Sequence, residues 1–248
     1  MVTVISLNLW NINEPYDIRM SRVQEYLIQE TPDMVLLQEV SPYGENLQLS
    51  DCIPKGYNYL FEPAGSWMGR LEGTAICSRH PIVRGSCIDL PMVDGDAPRR
   101  LLTATTTIGG RRILLASAHL AFQIENSNLR SVQATMIAKH LKQLMEDDDA
   151  ATWTILGVDA NSEPMEEPYE ILTSVGLNDA AEMFGQADAA TFSKANPFAS
   201  PALNPGRRID YVFVSSHMRV SMFELIFCER ESLVSDHYGL LVRISSSQ

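Results

Sequence analysis

Short apolar runs rich in β-branched residues recur along the chain, at residues 2–7, 34–38, 74–77, 101–107, 112–118, 152–158, 209–214, 220–227 and 238–244. Runs of this length predict strands, with alternation marking one buried face and continuous apolar character marking two. Two longer stretches repeat with the period of a helix. In one, Leu129, Val132, Met136, Ile137, His140, Leu141 and Leu144 share a face after a polar start at Asn126-Ser127. The other runs from about Asp17 to Thr31 and stops at Pro32, whose ring disfavours helical geometry in the residue before it. A shorter helix is predicted over residues 168–174, ending at Gly176, whose missing Cβ admits the left-handed turn that closes helices. Many strands with a few helices predict an α/β or α+β layered sandwich. No Ser/Gly linker, repeat or low-complexity tract divides the sequence, so residues 1–248 are read as one domain.

Composition narrows the class. At 45% apolar and 20% charged residues the chain is a folded globular protein, and it has no apolar stretch near the ~20 residues that cross a bilayer. The 31 acidic against 19 basic side chains give a net charge of −12. That balance excludes a broad basic surface for clinging to nucleic acid and leaves room for local contact with a phosphodiester. The four cysteines form no CxxC pair and read as unpaired thiols of a reduced compartment. Residues 1–8 enter a strand directly, without the basic and long apolar regions of a signal peptide, so a cytoplasmic location is expected. The acidic run Glu146-Asp147-Asp148-Asp149 reads as a solvated loop after the long helix.

Candidate chemistry collects at predicted strand ends. Asn8, Glu39, His119 and the pair Asp159 and Asn161 follow apolar runs, Asp210 sits within one, Asp236-His237 precede the last, and Glu72 precedes the run at 74–77. Each alone has a structural explanation as a turn cap, a solvated strand end or a backbone-bonded histidine. Together, carboxylates, carboxamides and two histidines brought to one sheet rim are the ingredients of an oxygen-ligand metal site with a general base and phosphate donors. Mg²⁺ prefers one or two carboxylates and retained waters, and nothing here resembles a zinc site. The chain has no GxSxG elbow or P-loop, which argues against an α/β-hydrolase or an NTPase.

The ordered segments Asn8, Leu37-Gln38-Glu39-Val40, Glu72-Gly73-Thr74-Ala75-Ile76-Cys77-Ser78-Arg79, Ser117-Ala118-His119-Leu120, Gly157-Val158-Asp159-Ala160-Asn161, Arg208-Ile209-Asp210-Tyr211 and Ser235-Asp236-His237-Tyr238-Gly239 resemble the motifs of the endonuclease/exonuclease/phosphatase superfamily. The resemblance spans residues 8–239 and implies a single-domain, deoxyribonuclease I-like four-layered α/β/β/α sandwich. It implies that Glu39 binds Mg²⁺, with Mn²⁺ as a substitute, and that Asn8 and Asp236 assist directly or through water. Asp159 is expected to orient or deprotonate the attacking water, and Asn161 to hold a phosphate oxygen or the nucleophile. His237, oriented by Asp210, and His119, paired with Glu72, are expected to be protonated donors to the phosphate.

For the substrate, the segment around His119 is similar to the histidine-containing branches and unlike the abasic-site enzymes, which usually carry Asp where this chain has Trp10. Asn8-Leu9-Trp10 is loosely similar to neutral sphingomyelinases, although no long apolar segment offers membrane attachment. Arg99-Arg100 and Arg207-Arg208 offer planar guanidinium forks to a phosphate, with Arg100 taken as the contact; the alternative is surface turns paired with acids. Trp67 and Met68 form either an apolar rim for a substrate group or loop packing, and residues 191–205 resemble a loop of bacterial members. The leading expectation is a Mg²⁺-dependent phosphodiesterase, nuclease or phosphatase. It would act on a nucleic-acid-derived or small phosphoester by in-line attack of a metal- and Asp-assisted water, without stable membrane insertion. The alternatives are a sphingomyelinase-like phospholipase C and a catalytically silent binding protein on the same fold.

Overall fold

The computed structural model describes residues 1–43, 46–67, 69–147, 153–199 and 206–246. Its elements in chain order are β1 (Val2–Asn8), α1 (Tyr16–Glu30), β2 (Met34–Val40), β3 (Pro42–Tyr43), β4 (Asn46–Leu47), α2 (Leu49–Cys52), β5 (Asn58–Trp67), β6 (Arg70–Ser78), β7 (Ile82–Leu90), β8 (Arg99–Ile108) and β9 (Arg111–His119). They continue as α3 (Ser127–Glu146), β10 (Trp153–Asp159), α4 (Glu167–Thr173), β11 (Leu177–Asp179), α5 (Ala180–Phe184), β12 (Asp210–Ser215), β13 (Met218–Ile226) and β14 (Gly239–Ser246).

Two six-stranded sheets follow, in the orders β13-β14-β1-β2-β6-β5 and β11-β12-β10-β9-β8-β7. At the centre of each is one parallel pair, β1 with β2 and β9 with β10, joined by the crossover helices α1 and α3. The sheets meet through Val4, Leu36 and Ile76 on one side and Leu115, Ile155 and Val212 on the other. Outside the first sheet, Met20, Val23 and Leu27 of α1 cover Ile5, Val35 and Leu37. Outside the second, Ile137 and Leu141 of α3 and Leu172 of α4 cover Leu156 and Val158. This is the four-layered α/β/β/α sandwich. Its central strands are apolar on both faces because both faces are covered.

The sheets approach closely at Gly157, where an added Cβ would lie 2.8 Å from the Leu36 Cβ and the Ser6 Oγ. Gly157→Ala is therefore expected to cost about 1–3 kcal/mol through overpacking. Urea unfolding checks this as a lower midpoint at an unchanged slope.

Several elements differ from the apolar pattern. The edge strands β5 and β7 were not expected; β5 contains Pro63 and Gly65, and β7 is interrupted by a register shift between Arg84 and Cys87. Edge strands tolerate proline and bulges because one side needs no partner. The short helices α2 and α5 fall below the length at which a period can be read. α1 ends as expected, with Thr31 in the left-handed region at φ 48° before Pro32. α3 runs through Glu146, so the acidic run starts inside the helix rather than in a loop; Glu146 and Asp147 are exposed, and Asp148 and Asp149 lie outside the described residues. All four cysteines are free. Among the described residues no helix is long and apolar enough to cross a membrane.

Candidate active site

The C-terminal ends of the central parallel strands share one rim. Asn8 ends β1, Glu39 lies next to the end of β2, and His119 and Asp159 end β9 and β10. Antiparallel β12 pairs Asp210 with Asp159, while β9 pairs His119 with Asp159 on the other side. Asp236 and His237 lie one residue before β14, which returns antiparallel to β1. The first sheet and its loops thus supply Asn8, Glu39, Glu72, Asp236 and His237, and the second supplies Arg99, His119, Asp159 and Asp210.

Backbone strain marks the same rim. Trp10, Asn11, Glu39 and Asn161 have φ between 49° and 54°, in the left-handed region that side chains with a Cβ avoid. At Glu39 the cause is local. The pairing of β2 with β6 shifts register between Leu37 and Val40, and the extra residue releases Glu39 from the strand's alternation. Behind the rim, two buried arginines that form no ion pair with a carboxylate among the described residues hold its loops by their carbonyls. Arg19 of α1 donates to Leu9 O, Asn11 O, Asn13 O and, at 2.8 Å, Val234 O. Arg130 of α3 donates to Ala121 O at 3.2 Å and Gln123 O at 2.6 Å.

Asp159 is the hub of the polar network. Its Oδ2 accepts from Asn8 Nδ2 at 2.9 Å and lies 3.3 Å from His119 Nε2 and 3.8 Å from His237 Nε2. Its Oδ1 accepts from the Asn161 N–H at 3.1 Å. Burial pushes Asp159 up to about 6, reinforced by Asp210 and opposed by His237 and the Asn8 and Asn161 hydrogen bonds. His237 Nδ1 is 2.8 Å from Asp210 Oδ2, which also accepts from Thr191 Oγ1 at 2.6 Å. Burial alone would lower His237, but Asp210, Asp159 and Asp236 outweigh it and hold the ring well above its ordinary value. His237 is consequently a cation at neutral pH, with Nδ1 committed to Asp210 and Nε2–H available.

His119 takes the opposite state. Its Nδ1 lies 2.8 Å from Arg99 Nη1, and Arg99 Nη1 also donates to Glu72 Oε1 at 2.9 Å. A guanidinium can only donate, so Nδ1 accepts and the imidazole proton sits on Nε2. Burial, Arg99 and His237 hold His119 well below its ordinary value, so the ring is neutral. The expected Glu72–His119 pair is thereby corrected: Arg99 stands between the two and supplies the positive charge expected on the imidazole.

Other placements also depart from expectation. Arg100 does not join the cluster; its guanidinium is held by Asp89 at 2.6 Å and Glu62 at 3.0 Å. Arg99, its neighbour, is the one of the pair whose guanidinium reaches His119 and Glu72. Arg208 is buried against Asp179, while Arg207 reaches the cleft and is held by Glu163 at 2.8 Å. Asn8 turns its amide nitrogen to Glu39 Oε1, at 3.1 Å, as well as to Asp159, and its Oδ1 accepts from the Trp10 N–H at 2.9 Å. The Asn8 amide nitrogen thus bridges two acids, and its oxygen, with one of two lone pairs engaged, keeps the other. Asn161 lies beside the histidine, with Nδ2 3.2 Å from Leu120 O and 3.0 Å from His119 Nε2. Met68, the Trp67 side chain and residues 200–205 lie outside the described residues.

The cleft has two lobes that meet at Glu39, Phe122 and Asp236. One, of about 340 Å³, runs past Asp159, Asn161 and His237 to Ile124, Phe192 and Arg207. The other, of about 510 Å³, runs past Glu72 and Arg99 to Trp10, Asn13 and Arg70. A divalent cation suits the acids where the lobes meet. Burial pushes Glu39 up to about 8, with Glu72 and Asp236 adding to the rise, and burial also raises Asp236. Carboxylates crowded in this way need positive charge, and hard cations take oxygen ligands. Asp159, Asp210 and His237 also bring potential ligand atoms within 4.8 Å of one another. Within that trio His237 Nδ1 is engaged by Asp210 Oδ2 at 2.8 Å, and Nε2 is the ring nitrogen that faces Asp159 Oδ2.

The chain belongs to the Endonuclease/Exonuclease/phosphatase family, whose profile matches residues 5–237. It is 26% identical to the Caenorhabditis elegans protein named "Putative neutral sphingomyelinase", over 98% of this chain and 66% of that one. It is 27% identical to tyrosyl-DNA phosphodiesterase 2 of Danio rerio, over 87% of this chain and 58% of that one. The chain thus spans roughly three fifths to two thirds of the length of these curated relatives. The solved structure of truncated TDP2 from Caenorhabditis elegans shares the fold, with a TM-score of 0.80 and 20% identity over 99% of this chain and 98% of that truncated chain.

Proposed function

We propose that this protein is a divalent-metal-dependent phosphodiesterase that takes a nucleic-acid-derived or small phosphoester, with Mg²⁺ or Mn²⁺ as its cofactor. The observation that carries the reading is the gap of 3.8 Å between Asp159 Oδ2 and His237 Nε2, a proton acceptor beside a charged donor on one cavity. The gap is too long for a hydrogen bond, so Nε2–H remains available to a substrate oxygen.

Asp159, pushed up to about 6, is largely ionised at neutral pH yet basic enough to take a proton from water. The water oxygen forms the new bond to phosphorus as the ester P–O bond breaks in line. The Asn161 carboxamide holds a phosphoryl oxygen or the water, and His237 Nε2–H neutralises charge that grows on phosphorus. Arg99 and Asn8 keep His119 neutral and Asp159 oriented. Glu39 and Asp236 would hold the cation, which when bound supplies Lewis-acid stabilisation of the phosphoryl and leaving oxygens.

The test is hydrolysis of bis-p-nitrophenyl phosphate, p-nitrophenyl phosphate, oligonucleotides and 5′-tyrosyl DNA with Mg²⁺, Mn²⁺ or chelator. Metal-dependent turnover is expected, falling by about 10²–10³ in folded His237→Ala. Equal turnover by wild type and variant would sink the reading.

A further inference from the structure

We infer that the larger lobe holds a second anionic group of the substrate, at the end of the lobe lined by Arg70, Asn13 and Trp10. This rests on the phosphodiesterase reading and narrows it to diesters with a neighbouring phosphate, as in an oligonucleotide.

The lobe is graded in charge. Its inner end carries Glu39 and Asp236, and Glu72 beside them is already bonded to Arg99 at 2.9 Å and to the Asn11 carboxamide at 3.2 Å. Its outer end is basic. Arg70 Nη1 rests on the neutral Asn13 Oδ1 at 3.1 Å, and among the described residues Arg70 forms no ion pair with a carboxylate. This contrasts with Arg84, Arg100, Arg207 and Arg243, each held by an acid.

Arg99, 5% exposed, also lines the lobe, with its Nη1 committed to Glu72 Oε1 at 2.9 Å and His119 Nδ1 at 2.8 Å. The outer end is also stiff: the Trp10 ring stacks on Phe198 at 5.1 Å, and the Arg19 guanidinium lies 5.0 Å from the Trp10 ring centroid. A phosphate bound there would meet the Arg70 guanidinium on a backed surface, with Asn13, tied to Trp10 O at 2.8 Å, steadying the arginine, while the scissile phosphate sits where the lobes meet.

The test separates this site from turnover. Calorimetric binding of the dinucleotides d(TpT), d(pTpT) and d(TpTp) is measured in chelator with wild type, Arg70→Gln and Arg70→Lys. One of the phosphorylated dinucleotides is expected to bind wild type about tenfold more tightly than d(TpT). The preference should collapse in Arg70→Gln, persist in part in Arg70→Lys, and weaken as salt rises. Equal binding of all three by wild type, or a preference retained in Arg70→Gln, overturns the inference. Bis-p-nitrophenyl phosphate hydrolysis runs beside it: turnover without the preference leaves the enzyme reading standing alone, and the preference without turnover leaves the anion site standing alone.

Discussion

Asp159→Asn is expected to lower kcat by about 10²–10⁴ with little change in fold, because it removes the proton acceptor while keeping the shape of the side chain. The substituted carboxamide can still present an oxygen to Asn8 Nδ2, now 2.9 Å from Asp159 Oδ2, so the bridge between the sheets has a replacement. The same variant should change the pH profile. In the wild type, activity rises as Asp159 loses its proton near pH 6, and it falls at alkaline pH as His237, held well above its ordinary value, loses its own. Asp159→Asn should erase the acidic limb and leave the alkaline one. Initial rates of bis-p-nitrophenyl phosphate hydrolysis from pH 4.5 to 10 check both points, and an acidic limb surviving in the variant would remove Asp159 from the role of base.

Glu39→Gln should separate cation binding from folding. Glu39 is raised from 4.5 to about 8, so between those pH values the folded metal-free chain holds a proton that the unfolded chain has released. Stability of the metal-free protein therefore falls as pH rises through that window. Asp159, raised from 3.8 to about 6, acts in the same direction at lower pH, and His237 does so above its ordinary 6.5. Removing the acid removes its share of the loss. At pH 8 in chelator, Glu39→Gln should melt at a higher temperature than wild type, whereas Mg²⁺ should raise the melting temperature of wild type and barely move the variant. Loss of a principal cation acid is expected to weaken Mg²⁺ by a hundredfold or more, on the order of or beyond what supporting residues contribute. Unchanged Mg²⁺ affinity in the variant would remove Glu39 from the cation site.

Much of this architecture was legible in the sequence, for a physical reason. The central strands are covered on both faces, so β1, β2, β9, β10 and β12 appear as continuous apolar runs, and the rim residues stand out as polar side chains where those runs end. The edge strands were hidden because β5 and β7 need no partner along one side and accept proline, glycine and a bulge. The choice between Arg99 and Arg100 was hidden for the opposite reason. Leu101 and Leu102 beyond them are both fully buried, so alternation gives no sign of which arginine faces the rim. The state of His119 was equally out of reach, since it depends on Arg99 arriving from the adjacent strand β8 to donate to its Nδ1 at 2.8 Å. The strained conformation of Glu39 left no mark either, because the Leu37–Val40 register shift is a property of pairing with β6.

The division of the rim between the two sheets bears on how this protein can be altered. Glu39, Glu72 and Asp236 belong to the first sheet and its loops, whereas Phe122, Ile124 and Phe192 lie on loops of the second. The selectivity of the smaller lobe can therefore be rewritten by exchanging residues 122–126 while leaving the proposed cation acids in place, whereas residues 191–199 carry the Thr191 hydroxyl that holds Asp210. Arg130 sets the boundary of such a graft, because it grips the carbonyls of Ala121 and Gln123 rather than their side chains. A transplanted loop of the same length brings those carbonyls with it whatever its sequence, which makes this wall of the cleft the place to begin selecting variants for new esters.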